Sequence, residues 1–216
     1  MSTMHRIILA GLAAVVFFSP SRSWAWSTQG GETLSKSENA LHAGTGFPWA
    51  IQTGYHIPVM NNFEIIPNFG LYYGVDTSVP TVGATLTAGL KFRLLQSGKF
   101  HLALVGEPGF IMNFHPGIFL FGLNLGLPQV LGTYNISNVF ALHFGLRMPI
   151  AIIFGRKGSP TFAYIPILAR FGMEYTVSSN VNIFALMDMG VGITAASGGS
   201  KADFSPSFLF GGVFRF

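Results

Sequence analysis

Along most of this chain, apolar and polar side chains alternate with a period of two residues. From Val181 to Thr194 the odd positions read Val, Ile, Ala, Met, Met, Val, Ile, and the even ones Asn, Phe, Leu, Asp, Gly, Gly, Thr. Between Asn138 and Phe154, His143, Gly145 and Arg147 stand opposite Phe140, Leu142, Phe144, Leu146 and Met148. Strand side chains point to alternate faces, so each such segment has one wholly apolar face and one mixed face. The pattern predicts strands near 63–74, 82–95, 100–112, 118–133, 138–154, 161–177, 181–195 and 206–216, with a further one at 49–58. Short connectors at Pro58–Asn62, Gln96–Lys99, Asn135–Ser137 and Ser178–Asn180 alternate with longer ones at Val75–Thr81, Asn113–Gly117, Gly155–Pro160 and Ala196–Ser205.

The charges decide which face is which. Glu64, Lys91, Arg93, Glu107, Arg147, Arg170, Glu174, Asp188 and Arg215 are the nine that fall inside predicted strands, and all sit on the Gly/polar parity. A soluble lipocalin-like barrel would turn its apolar face inward. Here only 9% of the 216 residues are charged, mean hydropathy is +0.49, and no Asp, Glu, Lys or Arg occurs between Glu107 and Arg147. An ordinary soluble domain carries about 25% charge, so the apolar face is the outer one. A lipid-facing sheet must close on itself, because an open edge leaves backbone groups unpaired in hydrocarbon. The fold class predicted is therefore all-β, a closed antiparallel transmembrane β-barrel. Bacterial single-chain barrels use even strand numbers. Ten strands result if Asn39–Gly46 forms a short first strand. Eight is the alternative, with residues 26–61 outside the barrel.

Residues 1–25 read as an address. A basic start with Arg6, the apolar run Ile7–Phe18 and the small residues of Ser23-Trp24-Ala25 form a secretory signal with cleavage after Ala25. Removing Arg6 and Arg22 lowers the formal net charge of +4 to +2, and no nucleic-acid partner is expected. Residues 26–38, Gly- and Ser-rich, are expected to be a flexible periplasmic lead, and 39–216 the barrel, one domain and a monomer. With no cysteine there is neither a disulfide framework nor a thiol site.

The chain finishes Phe208-Leu-Phe-Gly-Gly-Val-Phe-Arg-Phe216, with aromatics at Phe208, Phe210, Phe214 and Phe216 stepping by twos. This ending resembles the assembly signal that the barrel insertion machinery reads, apart from Gly212, where a larger apolar residue is usual. With it, the mature chain resembles small bacterial outer-membrane barrels of the OmpA/OmpW/opacity-protein type. The resemblance implies residence in the lipid of a Gram-negative outer membrane, with the insertion machinery as a transient partner. Aromatic girdles are expected outside, with Phe63, Phe92, Phe100, Tyr134, Phe140 and Tyr175 at the short-turn end and Trp49, Tyr73, Phe119 and Phe154 at the other.

The inward charges are the one candidate constellation. In a narrow barrel they must pair, since a buried unpaired charge costs several kcal/mol. Two functions follow: a structural or anchoring barrel with a lumen closed by ion pairs, or a narrow channel or small-ligand barrel for small or apolar solutes. Inward glycines, among them Gly70, Gly83, Gly122, Gly172, Gly192 and Gly211, would leave room for arginines or water. An enzyme is not expected, because His42, His56, His101, His115 and His143 are scattered without a local His-x-Ser arrangement. Neither a metal nor a cofactor is expected. Gly155–Ser159 lacks phosphate-loop spacing and reads as a solvated loop.

Overall fold

The computed structural model describes residues 26–74, 81–115, 118–155 and 161–216; the expected signal segment 1–25 lies outside them. Four strands open the sheet: β1 (Ala40–Phe47), β2 (Trp49–Met60), β3 (Phe63–Gly74) and β4 (Thr81–Ser97). The next three staves are each split in two. They are β5 (Phe100–Gly106) with β6 (Pro108–His115), β7 (Ile118–Leu125) with β8 (Gln129–Asn135), and β9 (Phe140–Arg147) with β10 (Ala151–Phe154). Two long strands follow, β11 (Phe162–Ser178) and β12 (Val181–Ala196), then a last stave split into β13 (Gly199–Phe204) and β14 (Ser207–Arg215).

All pairings are antiparallel, and the ring closes where β14 meets β1, from Ala40 opposite Arg215 to Phe47 opposite Phe208. Fourteen segments thus make a closed barrel of ten staves. The short first strand that distinguishes ten from eight is present and forms the seam. Just beyond it, Asn39 and Phe216 exchange both backbone hydrogen bonds, at 2.9 and 3.0 Å. No backbone edge is left for lipid to desolvate along that seam.

Three expected strands, 100–112, 118–133 and 138–154, are broken rather than continuous, and at one height on neighbouring staves. Pro108, Pro128 and Pro149 stand at or beside the breaks, and a proline cannot donate to the ladder. Gly126 turns the chain there with φ of 65°, a left-handed conformation suited to glycine, and a side chain on it would collide with Pro108.

Side-chain parity follows the charge argument. Ile167 on β11 is 53% exposed on the outer face, and the next residue, Leu168, is 7% exposed inside. One girdle residue is corrected. Trp49 points into the lumen and packs against Tyr72, because a register shift between Trp49 and Ile51 reverses the parity of the strand end. Tyr73, Phe119 and Phe154 remain on the outside.

The expectation of a flexible lead is also corrected. Trp26, Ser27, Thr28, Gln29, Thr33 and Leu34 are buried inside the barrel. Trp26 and Leu34 pack with Ala40, Phe184, Leu186, Leu209 and Val213 into an internal apolar cluster. A stretch poor in charge but dense in hydrogen-bonding groups has been used as filling, not as a tether.

Ile167→Arg should cost about 2–4 kcal/mol of folding free energy in lipid, the penalty for Arg at the midplane of a barrel. Spin labels at 167 and 168 check the face assignment: lipid-soluble oxygen should reach position 167 and be excluded from 168.

Candidate functional site

Halfway along the lumen, four of the nine inward charges meet. Asp188 of β12 sits opposite Arg170 of β11 and accepts from its Nε and Nη2 at 2.7 and 2.9 Å. Arg147, at the end of β9, donates to the same carboxylate and also reaches Glu107 at 3.2 Å. Gln129 donates to Glu107 at 3.0 Å. Glu107 is the residue between β5 and β6, so the strand break is what delivers it to the cluster. Two cations and two anions compensate one another, as charges withdrawn from water must.

Towards the turn end, residues 26–34 occupy the lumen, and the remaining carboxylates hold them. Glu174 accepts from Ser27 Oγ at 2.9 Å, from the Thr28 amide at 3.2 Å and from Asn182 Nδ2 at 2.9 Å, with His143 Nε2 3.2 Å away. Glu64 accepts from the Leu34 amide and lies 3.2 Å from His56, which in turn contacts His42 at 2.9 Å. Lys91, fully buried and directly across the ladder from Glu64, donates to the Thr28 carbonyl at 3.0 Å. Gly30 and Gly31 bring this segment against the wall. A side chain on Gly30 would run into Thr133 and His143, and one on Gly31 into the backbone of His101 and Leu131. At the very end, the Arg215 guanidinium lies 4.6 Å above the Trp26 ring and 3.3 Å from Glu38.

Towards the loop end the lumen opens into a cavity of about 860 Å³. Its floor is the Glu107–Arg147–Asp188 side of the charge cluster, and its walls carry Trp49, Tyr72, Ile111, Leu120, Phe162 and Tyr164. Several inward glycines make room for rings rather than for arginines. Gly70 lies under Trp49, Gly83 under Tyr72 and Gly192 under Tyr164.

The nine sequence-derived charges therefore divide by height. Glu107, Arg147, Arg170 and Asp188 form one cluster. Glu64, Lys91 and Glu174 bind the N-terminal segment, and Arg215 caps it. Arg93 shares the inward face but makes no ion pair with a described carboxylate. Of the terminal aromatics, Phe208, Phe210, Phe214 and Phe216 all stand exposed on the outer face. Alternation puts His143 on the inward face but does not reveal residues 26–34 or their holders His56, Thr133 and Asn182. A usable signal existed in Gly30-Gly31, a pair that lets a backbone lie against a wall. Of the histidines scattered along the sequence, the barrel brings His56 beside Glu64 and His143 beside Glu174, with His42 against His56.

No family model matches the chain, and no curated protein matches it. Among solved structures it is similar to OmpT (in-vitro folded), an outer membrane protein of Vibrio cholerae, with 12% identity and a TM-score of 0.37 over 85% of this chain. The match covers 62% of that protein's chain. The ten-stave closed barrel with its apolar outside is the architecture of an outer-membrane β-barrel.

Two measurements test the hold on residues 26–34. Glu174→Gln replaces an acceptor by a donor facing Ser27 and Thr28, and should loosen the segment by about 1–3 kcal/mol, read as faster amide exchange at 27–34. Burial pushes the Glu32 carboxyl up to about 7, against the opposing pull of Asn135, Lys91 and Arg93. Its folded pKa lies above that of the free chain, so its contribution to docking is complete below about 4.5 and is lost as pH rises through 7. Exchange at 27–34, corrected for intrinsic base catalysis, should therefore be faster at pH 8 than at pH 5; the opposite order would contradict the assignment.

Proposed function

We propose that this protein is a monomeric, non-enzymatic barrel of a bacterial outer membrane, exported through a cleaved leader at 1–25, and that it receives a small ligand from the loop end. The turn end is stopped by its own residues 26–34 together with the ion pairs, so the barrel does not conduct as it stands. One observation carries this reading: the lumen is divided, with a packed half around Glu174 and Glu64 and a cavity of about 860 Å³ above the charge cluster. Ligand pockets typically fall between about 300 and 1,000 Å³. A purely structural or anchoring barrel has no need of such a chamber.

Ser27, His143 and Glu174 lie within hydrogen-bond reach of one another, and we read them as a fastening. Ser27 is wholly buried and its hydroxyl is spent on the carboxylate, whereas a nucleophile needs a path to substrate. The terminal alternation from Phe208 to Phe216 supports delivery to the outer membrane by the insertion machinery.

Planar-bilayer recording tests the division of the lumen. The full chain should give no discrete conductance steps, and deletion of Trp26–Leu34 should produce them. Ohmic steps from the full chain would overturn the reading.

A further inference from the structure

The loop-end chamber has a specific surface chemistry. Tyr72 on β3 and Tyr164 on β11 stand on opposite sides of the ring, five staves apart. Each lies across a glycine of the neighbouring strand. The tip of Tyr72 comes within 2.1–2.5 Å of where a Gly83 Cβ would be, and that of Tyr164 within 2.5–2.9 Å of the Gly192 position. A ring resting on the wall over a missing side chain turns its face to the lumen. Both hydroxyls are already engaged. Tyr72 donates to Asn113 at 2.5 Å, and Tyr164 shares a 2.8 Å hydrogen bond with Ser205. The polar ends are satisfied, the rings are fixed, and what remains available is π surface.

Trp49 completes a corner. It covers Gly70 and stands at 74° to Tyr72 with ring centroids 5.6 Å apart. A face and an edge meeting at such an angle offer a flat guest both of the arrangements that aromatic pairs prefer, offset stacking and edge-to-face contact. Below, Arg147 is shared between Glu107 and Asp188, and Asp188 also holds Arg170. A charged guest would have to break one of these pairs, leaving a partly buried charge without its partner. Polar side chains also line the chamber, Gln52, Thr85, Thr87 and Thr194 among them, so a guest's few polar groups can be met at its edges while the rings take its faces.

We propose that the chamber binds a flat, uncharged, chiefly aromatic molecule, placed between the ring faces of Trp49 and Tyr72 on one wall and Tyr164 on the other. This rests on the reading of the loop-end chamber as a ligand site and adds the class of ligand. The site is preorganised, since neither tyrosine loses freedom on binding.

The experiment is calorimetric titration of the full-length barrel, folded in nanodiscs, with three uncharged probes: 2-naphthol, n-octanol and maltose. Saturable one-to-one binding of 2-naphthol, tighter than that of octanol, is expected. Trp49→Leu and Tyr164→Leu should each weaken it about fivefold, the scale of one aromatic pair, and should leave octanol unchanged. Because these variants remove wall packing, Tyr164→Phe serves as a second probe: it keeps the ring, loses only the hydroxyl bonded to Ser205, and should bind 2-naphthol as the parent does. Heat-modifiability on gels reports folding of each variant. Saturable binding of octanol or maltose without 2-naphthol would overturn the aromatic assignment while sparing the chamber as a ligand site. Saturable binding of none of the three would overturn both.

Discussion

A carboxylate enclosed by a barrel wall must find its hydrogen-bond donors inside that wall, because neither lipid nor bulk water can supply them. Two carboxylates in the turn-end half, Glu174 and Glu64, are essentially inaccessible. Wall neighbours satisfy part of their demand, through Asn182 and His143 for one and His56 for the other. The rest comes from backbone amides of Thr28 and Leu34 and the hydroxyl of Ser27. The N-terminal segment and the inward charges therefore stabilise one another. Remove the segment and two buried anions and Lys91 lose partners at once; remove the charges and the segment has little reason to leave water. Such reciprocal dependence makes the half-satisfied state the costly one.

Near the middle, the same constraint is met differently. Arg147, Arg170, Glu107 and Asp188 satisfy each other across the lumen and need no inserted chain. The cluster acts as a partition. Below it polar atoms are engaged by the inserted backbone, and above it rings such as Trp49, Tyr72 and Tyr164 stand among aliphatic and uncharged polar side chains. The three broken staves lie at that same level, and one of the breaks places Glu107 in the cluster. Proline positions in the wall and the charge partition in the lumen are thus two sides of one band.

How much of this was legible in the sequence follows from what each feature depends on. Parity is a local property, so Leu142 against His143 and Ile167 against Leu168 could be assigned from alternation alone, and the closed barrel followed from the chemistry of lipid. The tenth stave was only partly legible: His42, Gly44 and Gly46 alternate weakly with Leu41, Ala43 and Thr45, and an even count allows eight strands as well as ten. Trp49 was assigned to the wrong face because a single register shift at a strand end inverts everything beyond it, and alternation cannot reveal a bulge. Residues 26–34 were misread for a deeper reason. Their amides are ordinary in sequence, and their value arises only from carboxylates far along the chain, 30 residues from Leu34 to Glu64 and 147 from Ser27 to Glu174. The four-member charge cluster was foreseen as pairing in general, but which partners meet depends on stave order.

The seam between β1 and β14 sets a limit on the enclosed segment. From Leu34 inside the lumen to Ala40 in the wall the chain has six residues, about 20 Å at full extension. Residues 26–34 are in effect a ligand on a short leash, anchored at the rim of the turn end. Their local concentration at Glu174 and Glu64 is of the order of millimolar even when detached. A soluble peptide of the same sequence would compete poorly, and any excursion would end in recapture by the same two carboxylates. The leash also has a direction: the segment can withdraw only through the turn end, leaving the chamber on the far side of the charge partition undisturbed.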